Sequence, residues 1–260
     1  MRKPTSKNIA NANLMASFSA AQSRRMLLKG AAAGVAGIAA MSASGLAYAK
    51  SDTAKRPAAD SIVSILTVAR TAEQLAVTFY SNGIANAEKL GLSGNDLENI
   101  KAALVEEQIH QQFFTANGGQ SLADTFSFPE GPKTFTDLKT FIATQQQLEG
   151  VFDSAFLAAI LEFAQLGRPD LAQIAGQVAT VESEHRALGR MIGGLMPADN
   201  WAFTPVLVAT VGDAPALVKK AGYLSPQSGN SYTYQEVSTD NAGVEQRKPF
   251  SANSTVQGNG

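Results

Sequence analysis

The fold of this chain is decided by two short stretches, VEEQIH at residues 105–110 and VESEH at residues 181–185. Each places a glutamate three residues before a histidine, so in a helix both side chains point to the same side. The chain has only these two histidines and no cysteine. Each stretch can therefore aim a carboxylate and an imidazole at one point, while thiolate sites and cysteine nucleophiles are excluded.

Apolar residues recur with the i, i+3, i+4 spacing of an amphipathic helix in four segments. Glycine and proline separate these segments, with a longer crossover connection between the second and the third. We predict helices at about residues 59–89, 96–116, 136–166 and 170–195. Glu73 and Glu149 lie almost as far apart in the chain as His110 and His185, which indicates two similar helix pairs. The pattern predicts an all-α, four-helix bundle.

The N-terminal segment has the features of an export signal. The sequence SRRMLLK at residues 23–29 resembles the twin-arginine motif, and an A-x-A cleavage pattern ends at Ala49. The apolar stretch between them is rich in alanine and glycine, and it falls short of the ~20 strongly apolar residues that a membrane anchor, the alternative, needs. We therefore predict a twin-arginine signal peptide at residues 1–49, export to the periplasm and no membrane span after processing.

The remaining chain divides by composition. We expect a linker at residues 50–58, the bundle at 59–197, a short helical appendix at 198–224 and a flexible polar tail at 225–260, with no strand. Six of the 21 basic residues and none of the 22 acidic residues lie in the signal segment, so the rest is acidic. An acidic protein has no electrostatic reason to bind nucleic acid.

Polar residues interrupt each apolar helix face at one place. These residues are Glu73, Glu107, His110, Glu149, Glu182 and His185. Burying bare carboxylates costs several kcal/mol each, roughly, and no lysine or arginine shares these faces. Two divalent cations would neutralise the four acids, and carboxylate with imidazole suits iron best, with manganese as the alternative. The remaining alternative is a metal-free bundle with hydrogen-bonded core histidines and acids.

Four neighbouring residues receive weaker predictions. Tyr80 lies two turns after Glu73 on the same face. It either contacts the metal ligands without binding metal itself or packs in the core. Glu106 and Glu184 fall off the apolar faces, so we expect them in solvent. Asp153, four residues after a predicted ligand, is a less favoured additional ligand.

These motifs resemble the bacterial ferritin-like domain proteins that include desiccation-related members. The resemblance covers about residues 59–224 and rests on the motifs TAEQLAVTFY at 71–80, VEEQIH at 105–110, QLEGVFDSAF at 147–156 and VESEH at 181–185. All six metal-ligand positions of the family pattern are filled, and the segment from Trp201 to Leu224 is similar to the family's helical appendix. Phe156 stands where relatives often have tyrosine.

Two function classes remain open. The first is an oxidoreductase, in which two iron or manganese ions react with O2, peroxide or Fe(II), with Glu107 and Glu149, or the equivalent glutamates, shared between the ions. The second is a non-catalytic metal-binding or structural stress protein. A homo-oligomer fits either class, and a 24-subunit iron-storage cage is a lesser alternative.

Overall fold

Four long helices form the body of the protein. The computed structural model of the chain describes residues 57–240, 243–245 and 249. The helices are α1 (Ile62–Ala85), the short α2 (Ala87–Leu90), α3 (Gly94–Ala116), α4 (Leu138–Gln165), α5 (Pro169–Ile192) and α6 (Ala214–Ala221). Two 3-10 turns lie at Gly131–Phe135 and Val211–Asp213. The predicted all-α class, the four-helix bundle and the short helical appendix are confirmed.

Capping residues and one glycine set several helix ends. The Ser61 hydroxyl accepts the amide N–H of Ser64 at 3.1 Å, and the Asp137 carboxylate accepts the amide N–H of Thr140 at 2.9 Å. Both satisfy a donor that has no partner within the first turn of its helix. Gly91 ends α2 at φ 70°, a left-handed conformation that glycine tolerates without a Cβ clash.

The helices pack as two pairs. α1 lies mainly against α3 and α4 mainly against α5, while α1–α4 and α3–α5 contacts are fewer. Phe79 of α1 stacks on Phe141 of α4 where the pairs meet, with ring centroids 4.5 Å apart. Among the described helices, α1 alone is long and apolar enough to cross a membrane. Since 61% of its most apolar stretch is buried inside the protein, these features match its place in the core.

Glu162 of α4 forms hydrogen bonds with the residues just before α1 and with the C-terminal appendix. Its side chain is buried, and one carboxylate oxygen accepts the amide N–H of Asp60 at 2.7 Å. The other oxygen accepts the amide N–H of Val211 at 2.7 Å. This buried acid is therefore fully hydrogen-bonded, as buried polar groups usually are.

A small ribbon joins the crossover to the C-terminal segment. Strand β1 (Thr125–Phe126) pairs antiparallel with β2 (Tyr232–Thr233). The Asn230 side chain accepts the amide N–H of Phe128 at 3.0 Å and donates to its carbonyl at 2.8 Å. The Tyr232 and Phe128 rings also pack edge to face, with centroids 5.2 Å apart.

The expectation that the chain contains no strand was wrong, because β2 lies within the segment predicted as a flexible polar tail. Beyond the ribbon, the Tyr234 hydroxyl and the Val237 amide N–H both donate to the Gln108 side-chain oxygen, at 3.1 and 3.0 Å. The bundle thus supplies the partners that order this polar segment. The predicted signal peptide lies outside the described residues, as do most of residues 50–58 and 241–260.

Candidate metal centre

The six predicted ligands converge in the middle of the bundle. All four long helices contribute, and the donor atoms form two groups, within each of which they lie within 4.8 Å of one another. The His110 group is Glu73, Glu107, His110 and Glu182, and the His185 group is Glu107, Glu149, Glu182 and His185. The structure brings together every side chain of the predicted set, whose action as metal ligands stays a prediction.

The two groups share the glutamates of the two E-x-x-H motifs. Glu107 of α3 and Glu182 of α5 belong to both groups, whereas Glu73 and Glu149 each belong to one. The sequence had suggested Glu107 and Glu149 as the shared pair. The reason for the difference is that Glu107 and Glu182 each reach both rings: their oxygens lie 3.8 and 3.7 Å from Nδ1 of His110 and 3.0 and 3.6 Å from Nδ1 of His185.

Both imidazole rings turn Nδ1 towards the carboxylates. Nδ1 of His110 lies 3.9, 3.8 and 3.7 Å from the nearest oxygens of Glu73, Glu107 and Glu182. Nδ1 of His185 lies 3.0 Å from Glu107 Oε1 and 3.6 Å from Glu182 Oε2. Donors that face one another at these separations leave their lone pairs directed at a common point.

Most donor atoms of the cluster have no hydrogen-bond partner in the described part of the chain. Seven of the eight oxygens on the four glutamates are buried without one, as is Nδ1 of both histidines. The close Nδ1–Oε1 contact of His185 with Glu107 lacks hydrogen-bond alignment. Since buried polar atoms are paired in the great majority of cases, so many orphans at one point indicate a missing positive partner.

The electrostatics of the cluster favour positive charge at its centre. Burial, together with repulsion from neighbouring carboxylates, raises the pKa of Glu73 and of Glu149 well above the ordinary value of 4.5. Burial by itself lowers the pKa of His110, but the carboxylates of Glu107 and Glu182 outweigh it and raise the pKa to about 9. Cations, whether protons or metal ions, are therefore stabilised here.

A hydrogen-bonded layer supports the His185 group. The Tyr80 hydroxyl, fully buried, donates to Glu149 Oε1, so Tyr80 contacts a predicted ligand directly. The Gln145 amide donates to the Tyr80 hydroxyl at 3.1 Å and to the His185 carbonyl at 2.7 Å. Gly189 makes room for it, because a Cβ at that position would collide with the Gln145 amide.

Glu106 is the residue that the sequence prediction missed. Its side chain is 35% exposed, yet its Oε2 lies 2.8 Å from Nε2 of His185, which is itself 2% exposed. Glu184, also expected in solvent, is exposed. The spacing of residues along α3 could not reveal this role of Glu106, because its partner His185 lies on α5.

Asp153 and Arg186 lie near the cluster but outside both groups. The Asp153 carboxylate, considered above as an additional ligand, accepts the Ser183 hydroxyl at 2.9 Å. The Arg186 guanidinium lies 3.3 Å from the centroid of the Trp201 ring and donates to Asn200. Arg186 is buried, and its cationic side chain is not a metal ligand.

A comparison with protein families agrees with this geometry. Residues 61–194, just over half of the chain, match the model of the ferritin-like domain. Searches of curated proteins and of solved structures return no match. The matched segment runs from the cap of α1 to the end of α5 and contains all six converging side chains. The chain therefore belongs to the ferritin-like domain family.

Proposed function

We propose that this protein holds two metal ions, iron or alternatively manganese, in its four-helix core and uses them in redox chemistry with O2, peroxide or Fe(II). The observation that carries the proposal is the set of seven buried carboxylate oxygens and two imidazole nitrogens that lack hydrogen-bond partners among the described residues. Two divalent ions would balance the four carboxylates and give each orphaned donor a partner.

Each group of donors would hold one ion. Glu73 and His110 complete one site, Glu149 and His185 complete the other, and Glu107 and Glu182 serve both. Oxygen and imidazole donors suit iron and manganese, which supply one-electron redox chemistry when bound. The protein fixes the donors on rigid helices and excludes water from the His185 side.

The His110 side offers the access route. The His110 side chain is 13% exposed, whereas those of Glu107 and Glu182 are fully buried. A small molecule such as O2 or peroxide would thus approach along the face of α3 that carries His110. The Tyr80 hydroxyl donates to Glu149, which belongs to the other group of donors.

Metal analysis tests the proposal directly. The processed protein, purified without added metal, should contain about two metal ions per chain and should consume peroxide or oxidise Fe(II). Replacing both shared donors, as Glu107→Gln with Glu182→Gln, should abolish metal binding. Glu162→Gln, a change at an equally buried acid outside the cluster, should leave the metal content unchanged. A wild-type protein with less than one ion per chain would refute the proposal.

Deep burial favours a second candidate, a non-catalytic protein that binds metal for stability or stress protection. Glu107, Glu182 and His185 are nearly or completely inaccessible, which restricts any substrate to the His110 side. This candidate would be supported over the oxidoreductase if bound metal raises the unfolding temperature of the protein and the fully loaded protein shows no turnover.

We also propose export through the twin-arginine route, on the strength of the motif at residues 23–29 and the cleavage pattern that follows. This route carries folded proteins, so the centre would be loaded before export. Replacing Arg24 and Arg25 by lysine should retain the protein in the cytoplasm, as measured by cell fractionation. Light scattering of the exported protein would separate a small homo-oligomer from a 24-subunit cage.

A further inference from the structure

We propose that Glu106 is a positioning residue for His185, and that it makes the His185 group bind its metal ion more tightly than the His110 group. The proposal rests on the function proposed above, because it concerns the order in which the two halves of the centre fill. It adds a residue that neither the motifs nor the family match designates.

The contact of Glu106 with the ring indicates which ring nitrogen carries the hydrogen. Glu106 Oε2 lies 2.8 Å from Nε2 of His185, and a carboxylate oxygen in such a contact accepts a hydrogen bond from the ring N–H. Nε2 therefore carries the hydrogen, and the lone pair resides on Nδ1. Nδ1 is the atom that faces Glu107 and Glu182 in the cluster. The ring is thus held in the tautomer and the orientation that metal binding requires.

Glu149 of the His185 group is also held by a hydrogen bond. Tyr80 donates to Glu149, and Gln145 donates to both the Tyr80 hydroxyl and the His185 carbonyl. A binding site whose ligands are already oriented loses little entropy when the ion binds.

The His110 group has no such support within the described residues. Both oxygens of Glu73 lack a partner, and no hydrogen bond to the His110 ring is present there. The His110 side chain is also the more exposed of the two rings. The ligands of the His110 group must therefore be oriented when the ion binds, and the entropy lost in this step weakens binding to that group. The structure therefore predicts sequential loading, first at His185 and then at His110.

Because the chain has two histidines, one on each half, NMR can follow each site separately. The processed protein is labelled with 15N-histidine, stripped of metal and titrated with Zn(II), a diamagnetic probe. A His110→Gln variant assigns the two sets of signals. We expect the His185 signals to shift with the first equivalent of Zn(II) and the His110 signals with the second. The zinc-bound wild type should show a slowly exchanging Nε2–H on His185.

Glu106→Gln should weaken the first binding step about 10- to 100-fold, the usual effect of removing a carboxylate behind a histidine ligand. The Nε2–H signal of His185 should exchange faster, and the His110 step should stay unchanged. Glu184→Gln, which removes an exposed charge one residue from His185, is the matched control and should change none of these. Glu106→Asp, which keeps the charge, should restore part of the affinity.

The outcomes separate the two proposals. If Zn(II) shifts neither histidine, the metal centre itself is refuted. If both shift but His110 responds first, or both respond together, the unequal loading is refuted. If Glu106→Gln matches Glu184→Gln in affinity and in proton exchange, Glu106 has no positioning role.

Discussion

Replacing Glu73 by methionine should stabilise the metal-free protein and reduce the stabilisation that metal provides. The Glu73 side chain is 1% exposed, and neither carboxylate oxygen has a hydrogen-bond partner among the described residues. Leaving a buried polar group unsatisfied costs about 1–3 kcal/mol, and methionine of similar length fills the space without a cavity. The free energy of unfolding of the metal-free variant should therefore rise by about 1–3 kcal/mol.

The stabilisation that the bound metal provides should change in the opposite direction from the stability of the metal-free protein. An ion at a hundred times its Kd stabilises the folded state by about 2.7 kcal/mol, and a 100-fold weaker affinity leaves about 0.4 kcal/mol. Losing Glu73 removes a donor from the His110 group. The extra stability conferred by metal should therefore shrink by about 2 kcal/mol in the variant.

Urea unfolding followed by far-UV circular dichroism, with EDTA and with excess Mn(II), measures both effects. Glu162→Met is the matched control, because Glu162 is equally buried but accepts two backbone N–H groups at 2.7 Å each. That control should be less stable in both solutions and should keep the full response to Mn(II). A Glu73→Met protein that is destabilised in EDTA would show that the carboxylate is not an unsatisfied group in the metal-free protein. A variant that keeps the wild-type response to Mn(II) would show that Glu73 is not a metal ligand.

Three further changes test the surrounding structure by urea unfolding of the metal-free protein. Gly189→Ala should lower the free energy of unfolding by about 1–3 kcal/mol, because its Cβ displaces the Gln145 amide, and an unchanged midpoint would contradict this. Asp137→Ala should cost about 1 kcal/mol through loss of the α4 N-cap, whereas Asp137→Asn keeps the cap oxygen and should cost less. Asn230→Ala should cost about 1–3 kcal/mol by leaving the Phe128 amide N–H unpaired, and it should speed proteolysis after Ser225.

Local periodicity explains why the helices and the six convergent side chains could be predicted. A helix of 3.6 residues per turn fixes the direction of every side chain, so an acid on an apolar face must point into the core. The observed ends of the long helices lie within a few residues of the predictions. The break at Asn86 between α1 and α2 was not predicted, because no proline or glycine marks it.

Contacts between distant segments explain what the sequence concealed. Strands of two residues carry no alternation that could be recognised, and their pairing joins Thr125 to Thr233. The polar tail is ordered because the buried Gln108 offers an acceptor to Tyr234 and Val237. A prediction from composition includes the entropy cost of ordering such a segment, but it does not include the hydrogen-bond partners that the bundle provides.

Glu106 alters the charge balance that the sequence suggested for the centre. Four carboxylates and two divalent ions are neutral together, but a fifth carboxylate lies 2.8 Å from His185. Asp153 is also buried near the cluster, and burial raises its pKa to about 6. Because Glu106 is only 35% exposed, solvent screens its charge in part. Glu106 therefore adds negative charge beside the His185 group, which would stabilise the more highly charged state of an ion bound there. We accordingly expect Glu106→Gln to make a bound iron ion easier to reduce.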